Sequence, residues 1–189
     1  MKTYISALLL AGATLTAVSC DRNNDTQIVN DQDTIALVTE AKVSFSKGNG
    51  YQVSVPFQKN IPTGDNVYVY RLEGVTNDGK DIWQPLPRTF YAYSSDGTVS
   101  KQIHYDFNFS VSGVTFFAGG TFNKDNPESY VAPYLQNQVF RAVIIPGNMS
   151  ASAQASTKGN VGTSPVNYQD YNAVVKYYNI KESDVQVLK

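Results

Sequence analysis

Along much of the chain, apolar residues recur at every second position. Val43 and Phe45 alternate with polar neighbours, and Tyr51, Val53, Val55 and Phe57 share one face against Gln52 and Ser54. Val67 and Val69 alternate with Tyr68 and Tyr70 across the next segment. Tyr105, Phe107, Phe109 and Val111 give the cleanest case, set against His104, Asp106, Asn108 and Ser110. Successive side chains of a strand point to opposite faces, so a period of two predicts half-buried strands. The residues are also β-branched and aromatic, which suits a pleated surface. Val139 to Ile145 is apolar at both parities except at Arg141, which predicts a central strand covered on both sides.

Turn-forming clusters punctuate these segments. Gly48-Asn49-Gly50 predicts a hairpin between the first two strands. Pro62-Thr63-Gly64-Asp65, Asn77-Asp78-Gly79, Ser95-Asp96-Gly97 and Lys124-Asp125-Asn126-Pro127 mark further breaks. Roughly seven or eight strands at such spacing predict a mainly β protein, an antiparallel β-sandwich (Ig-like or jelly-roll-like) over residues 35–147. A closed barrel is the alternative. Residues 148–165 are rich in Ser, Ala, Gly and Thr and read as a linker or long surface loop. Tyr168, Tyr171, Val174, Val175 and Tyr178 then fall on one face of a helix, with Asn167 as its cap and Asn179 at its end. Asp184 to Leu188 reads as a last short strand. The tail, 148–189, is thus expected to be a linker and a short C-terminal helix. No period of 20–50 residues recurs, which excludes a repeat architecture.

The first twenty residues follow a different pattern. Lys2 is followed by an uncharged apolar run from Tyr4 to Val18, and the small residues Ala17 and Ser19 precede Cys20. The run is shorter than the roughly 20 apolar residues a spanning helix needs. A charged start, an apolar middle and small residues at the cut predict a secretory signal peptide over residues 1–19. Ala17-Val18-Ser19-Cys20 resembles a bacterial lipobox, in which the Cys thiol is acylated with diacylglycerol and the chain is cut before it. Cys20 is the chain's one cysteine, and polar Asp21-Arg22-Asn23-Asn24-Asp25 follows at once. Two or more acyl chains anchor a protein stably, whereas one holds it only marginally. Residues 21–34 are polar and Asn/Asp-rich and bury too little to offset their ordering entropy, so 20–34 reads as a lipidated Cys and a flexible tether.

Composition narrows the function. The chain has 189 residues, 42% hydrophobic and 16% charged, with a net charge of −1, enough apolar matter for one core and no basic excess for gripping nucleic acid. One Cys and one His exclude a disulfide framework, a Cys/His zinc site and c-type haem attachment. No dinucleotide fingerprint, Walker A loop or Gly-x-Ser-x-Gly elbow occurs. His104 lies two residues from Asp106, a spacing that could orient an imidazole, but on a polar strand face it reads first as a solvated His. The carboxylates Asp78 and Asp81, and Asp125 and Glu128, lie in turns, where Asp serves the backbone. Glycosidase chemistry or calcium would need them gathered across a cleft or around an ion. No metal ligand set or cofactor is expected. Of the aromatics, Tyr51, Phe57, Tyr105, Phe107 and Phe109 belong to the apolar face. Trp83, Tyr91 and Tyr93 flank the breaks at Pro85 and Pro87 and form a candidate platform for stacking on sugar rings.

Three stretches, taken in order, resemble a family of small lipoproteins from Bacteroidetes. They are Asp81-Ile82-Trp83-Gln84-Pro85-Leu86-Pro87-Arg88-Thr89-Phe90-Tyr91, Tyr105-Asp106-Phe107-Asn108-Phe109, and Asn137-Gln138-Val139-Phe140-Arg141-Ala142-Val143-Ile144-Ile145-Pro146. The resemblance covers residues 40–147 and the lipobox. Members have no assigned activity. Some are labelled collagen-like, for a Gly-x-x stretch that this chain lacks, and others dihydrolipoamide dehydrogenase, whose redox Cys pair and dinucleotide folds it also lacks. The resemblance implies a bacterium with two membranes and an anchor in the outer one. It also makes Asp33-Thr34-Ile35 similar to that phylum's O-glycosylation pattern, with Thr34 as acceptor. The resulting expectation is a lipid-anchored envelope protein, a non-catalytic binding or structural module. A glycan-binding module is the alternative, and a carboxylate hydrolase a third reading. The expected partners are the membrane, through the anchor, and a glycan or an envelope protein, not nucleic acid.

Overall fold

The computed structural model describes residues 36–147 and 166–188. The expected signal peptide, Cys20, the tether with Thr34 and the 148–165 linker all lie outside the described residues. The described strands are β1 (Leu37–Val43), β2 (Gln52–Pro56), β3 (Asn66–Val75), β4 (Asp81–Pro85), β5 (Arg88–Tyr93), β6 (Ser100–Ser110), β7 (Gly113–Gly120), β8 (Gln138–Ile145) and β9 (Val185–Leu188). They form two sheets, β4-β3-β8-β1-β9 and β2-β7-β6-β5. We term these the five-stranded and four-stranded sheets. The protein is mainly β, as the alternation predicts, and residues of both sheets share one apolar core. Neighbouring strands run antiparallel, except that β9 joins β1 in parallel.

The core explains the alternation. Val67 and Val69 of β3, Phe140, Ala142 and Ile144 of β8, Ile103 and Tyr105 of β6 and Phe116 of β7 all point inward. Phe140 stacks on Phe116 with centroids 4.6 Å apart and meets Phe45 and Tyr105 edge-on. Each such burial stabilises the fold by about 1.5–3 kcal/mol. Arg71 is also buried here. Its Nε donates to Gln138 Oε1 at 2.9 Å, its Nη1 pairs with Glu73, and its guanidinium lies over Phe90 and Tyr105. Phe109 departs from the expected apolar face and is exposed. β5 pairs with β6 only from Ser100 to Tyr105, so beyond Tyr105 that side of β6 is a sheet edge.

Gly48-Asn49-Gly50 does not close a hairpin. β1 and β2 belong to different sheets, and Lys47–Asn49 forms a 3-10 turn where the chain crosses between them. Phe45 before the turn and Tyr51 after it both enter the shared core, which a hairpin within one sheet would not require. The Asn49 side chain serves the backbone left without ladder partners. Its Oδ1 accepts from the Ser46 and Tyr51 N–H groups at 2.9 and 3.1 Å, and its Nδ2 donates to Ser44 O at 2.8 Å. The third crossing, from β4 to β5, runs through Leu86-Pro87, a cis peptide bond.

β8 is covered on both sides, as its composition predicts. Val143 and Ile145, with Val38 and Tyr70, face a second apolar cluster on the outside of the five-stranded sheet. The tail covers them. A short helix, α1 (Ala132–Leu135), precedes β8, and the tail helix is α2 (Tyr171–Tyr177). The helix is shorter than its apolar face suggests. Its cap is Asp170, which accepts from the Asn172 and Ala173 N–H groups at 2.9 and 3.2 Å. Asn167 instead accepts from Gln169 N–H before the helix, and Tyr168, also outside it, stacks on Tyr68 at 4.1 Å. Asn179 sits at φ 51°, a left-handed conformation that stops the helix. The expected last strand is β9. The described part of the tail thus packs on the sandwich and extends its sheet.

Candidate functional site

Trp83, Tyr91 and Tyr93 do not form one platform. Trp83 lies on β4, on the outer face of the five-stranded sheet, against Tyr171 at 5.2 Å. Tyr91 and Tyr93 lie on β5, at the edge of the other sheet, and are 54% and 60% exposed. Ala92 between them is buried, so both rings point away from the core. The two groups therefore occupy opposite sides of the sandwich. Trp83 is a packing residue, and the Tyr pair is a free aromatic surface.

Around Trp83 the structure gathers residues that the sequence reading had not joined. Arg141 of β8 is buried, with its guanidinium 4.4 Å from the Trp83 ring and 5.8 Å from that of Tyr171. Its Nε donates to Glu40 Oε2 at 2.8 Å and its Nη1 to Tyr171 Oη at 2.8 Å, and Glu182 is bound in a two-point pair. Burial opposes its charge, but the bonds to Glu182, Tyr171 and Glu40 outweigh that and raise its pKa. Burial raises the Tyr171 hydroxyl, against the lowering effect of the Arg141 bond. A cleft of about 470 Å³ opens beside this group, lined among others by Asp81, Trp83, Arg141, Tyr171 and Glu182. Asp81 and Glu182 are both exposed there, whereas a glycosidase general acid needs an apolar, water-poor setting. Arg141 gives four hydrogen bonds to protein groups on β1 and the tail, so this group reads as a clasp between β8, β1 and the tail.

Among the described residues, none covers the outer face of the four-stranded sheet. The register sets Ser54, Thr115 and Asn108 in one row, Phe117 and Asp106 in the next, Gly119, His104 and Thr89 in a third, and Gln102 and Tyr91 in a fourth. Tyr93 and Ser100 complete it at the β5 edge. His104 is half-exposed, with Nδ1 2.9 Å from Thr89 Oγ1 and Nε2 3.7 Å from Asp106 Oδ2. The order Thr-His-Asp invites a nucleophilic reading. However, the His104–Asp106 contact is 3.7 Å, longer than a hydrogen bond, and both groups stand about half exposed on a flat face, so the three read as solvated surface groups. An open groove of about 660 Å³ continues the face at Ser54, Asn108, Ser110 and Thr115.

The acidic turns are structural. Asp78 is held by Lys80 at 2.7 Å and Thr76 Oγ1 at 2.5 Å, which lowers its pKa. Asp125 pairs with Lys47 at 2.8 Å and Glu128 with Lys101 at 3.0 Å. Among the described residues, no three His, Cys, Asp or Glu side chains converge as they would around a metal ion. No described helix is long and apolar enough to cross a membrane.

Compared with known proteins, the chain matches no family model, no curated protein and no solved structure. Sequence reasoning missed two features. One is the Arg141 clasp, whose signal was a lone cation inside an apolar central strand. The other is Gly119, a glycine inside a strand and facing solvent, whose signal was the pair Gly119-Gly120 at the end of an alternating run.

Proposed function

We propose that this chain is a lipid-anchored envelope protein whose sandwich acts as a non-catalytic binding or structural module. The carrying observation is Ala17-Val18-Ser19-Cys20 at the end of an apolar run, with a polar segment directly after it. The anchor is read as lying in the outer membrane, and Thr34 as an acceptor for O-glycosylation. The open polar face of the four-stranded sheet supports a binding role, because the other sheet's outer face is already occupied by the tail. Metabolic labelling of expressing cells with an alkyne fatty acid tests the anchor. Wild type should carry label and sediment with membranes, and Cys20→Ala should lose both properties. A labelled Cys20→Ala variant, or an unlabelled wild type, refutes the reading.

A second reading is favoured by one specific observation, the exposed pair Tyr91 and Tyr93. Rings two apart on a strand lie about 7 Å from each other and present flat apolar faces of the kind that stack on sugars. In this reading the module binds glycan. Affinity electrophoresis of wild type and the Tyr91→Ala, Tyr93→Ala double variant in polysaccharide gels provides the measurement.

A further inference from the structure

Gly119 is the least explained residue of the open face. It is the penultimate residue of β7, past the pairing with β2 but still paired with β6, faces outward opposite His104, and has no positive φ to require glycine. A Cβ built there meets nothing within 4 Å. Its neighbour Gly120 is the opposite case, with φ +147° and a Cβ that would fall 1.9 Å from Gln102 O. Glycine weakens a strand interior, through lost entropy and an absent side chain, and where the fold does not demand it, it marks a place where a ligand or another backbone comes close.

The surroundings of Gly119 define that ligand. His104 and Phe117 stand beside it and Gln102 next along β6, with Tyr91 and Tyr93 beyond at the sheet edge. Amide, hydroxyl and imidazole groups offer donors and acceptors together, and the rings offer flat apolar faces. Asp106 carries the one full charge among the outward strand positions of this sheet, which gives no field for a polyanion or a polycation. Leu, Ile and Val are absent from those positions, so the apolar contacts the face offers are aromatic rings, of the kind that stack on sugars. No row of this face joins more than three strands, a width of roughly 10 Å, so a run of sugar rings follows the longer diagonal from Tyr93 to Phe117.

Building on the glycan-binding reading, we propose that an uncharged polysaccharide lies across the four-stranded sheet, from Tyr91 and Tyr93 to a hollow over Gly119. The missing side chain lets a sugar ring approach the backbone between Phe117 and His104, and Gln102 and His104 bind its hydroxyls. Gly119 is thus the position that sets what fits.

The test uses affinity electrophoresis in gels containing starch, laminarin, mannan, xylan or galactan, with polygalacturonate and heparin as charged probes. The proteins are wild type, Gly119→Val, Tyr91→Ala with Tyr93→Ala, and Val187→Ser on the far sheet. Val suits a strand, so Gly119→Val should fold and raise the thermal midpoint. At least one neutral polysaccharide should retard wild type and Val187→Ser. Gly119→Val should weaken that binding tenfold or more, and the double Tyr variant should weaken it too. Binding lost in the Tyr variant but unchanged in Gly119→Val overturns the hollow and leaves the glycan reading standing. Retardation by the charged probes alone overturns the neutral ligand. Retardation by none of the seven overturns both the inference and the reading beneath it.

Discussion

Arg141→Ala empties the space between Trp83 and Tyr171 and leaves Glu40 and Glu182 without their cation. The Arg141 side chain is 5% exposed, against 25% for Glu40 and 73% for Glu182. These values set an order of effects. Losing the buried cation removes the packing between two rings, the cation–π attraction and both ion pairs, about 3–5 kcal/mol in all. Glu40→Gln keeps the shape but weakens a charged hydrogen bond of 2.8 Å, at a cost of about 1.5–3 kcal/mol. Glu182→Gln changes a partner lying mostly in water, and solvent screening keeps its cost below about 1 kcal/mol. Urea unfolding followed by tryptophan fluorescence measures all three. Trp83 is the chain's one tryptophan and lies over Arg141, so the signal reports on the clasp itself. Circular dichroism of the same samples gives the global transition. Equal losses from Glu182→Gln and Arg141→Ala would refute the argument from burial, and so would an Arg141→Ala loss under about 1 kcal/mol.

Two further outcomes follow from local geometry. Gly120→Ala should destabilise by at least about 2 kcal/mol, because the new Cβ meets the Gln102 carbonyl in a backbone conformation that alanine avoids, and a shift of the thermal midpoint reads it. The Asp96 carboxyl is held at about 2 by hydrogen bonds from the Ser94 hydroxyl and from the Thr98 N–H and hydroxyl. A lowered folded-state pKa means that its contribution is present above the ordinary value near ~4 and is lost as pH falls through about 2. Carboxyl carbon shifts in NMR follow this directly, and a midpoint at the ordinary value would refute the hydrogen-bond account.

Strand positions were legible wherever one face is buried and the other wet. Val67 with Val69, and Tyr51 with Val55 and Phe57, enter the core at the spacing their alternation predicts. The both-faced burial of β8 was legible too, since no residue from Phe140 to Ile145 but Arg141 is polar. Pairing was not. Gly48-Asn49-Gly50 carries the chemistry of a hairpin turn, yet it serves a crossing between sheets, because a turn motif does not record which sheet the next strand joins. The helix face fared similarly. Tyr168 has the spacing of a helical residue, but stacking on Tyr68 places it before the cap at Asp170. Trp83 and Tyr91 are eight residues apart, and the crossing at Leu86-Pro87 sends them to opposite sides. Nearness in sequence suggested a shared platform that the crossing removes.

The two outer faces have opposite fates, and their residues say why. The five-stranded sheet exposes Val38, Tyr70, Val143 and Ile145 on its outside, which only a cover makes stable in water, and Val166, Tyr171 and Val174 supply it. The four-stranded sheet carries Ser54, Gln102, His104, Asp106, Asn108 and Thr115 on its outside, which water satisfies without a cover. Solvation alone therefore accounts for its polarity, and it would account equally for a face that binds nothing. It does not account for three features of the same face. Two tyrosines are more than half exposed there, Phe117 sits among polar neighbours, and Gly119 occupies a place where the fold accepts a side chain. Rings left in water forgo stabilisation that burial would bring, and glycine in place of a β-branched residue forgoes about 1 kcal/mol of strand propensity. A face under no demand but solubility would hold Thr or Lys at these positions. The departures lie along a diagonal from the β5 edge across β6 to the end of β7, and a ligand in contact with that line recovers what each of them gives up.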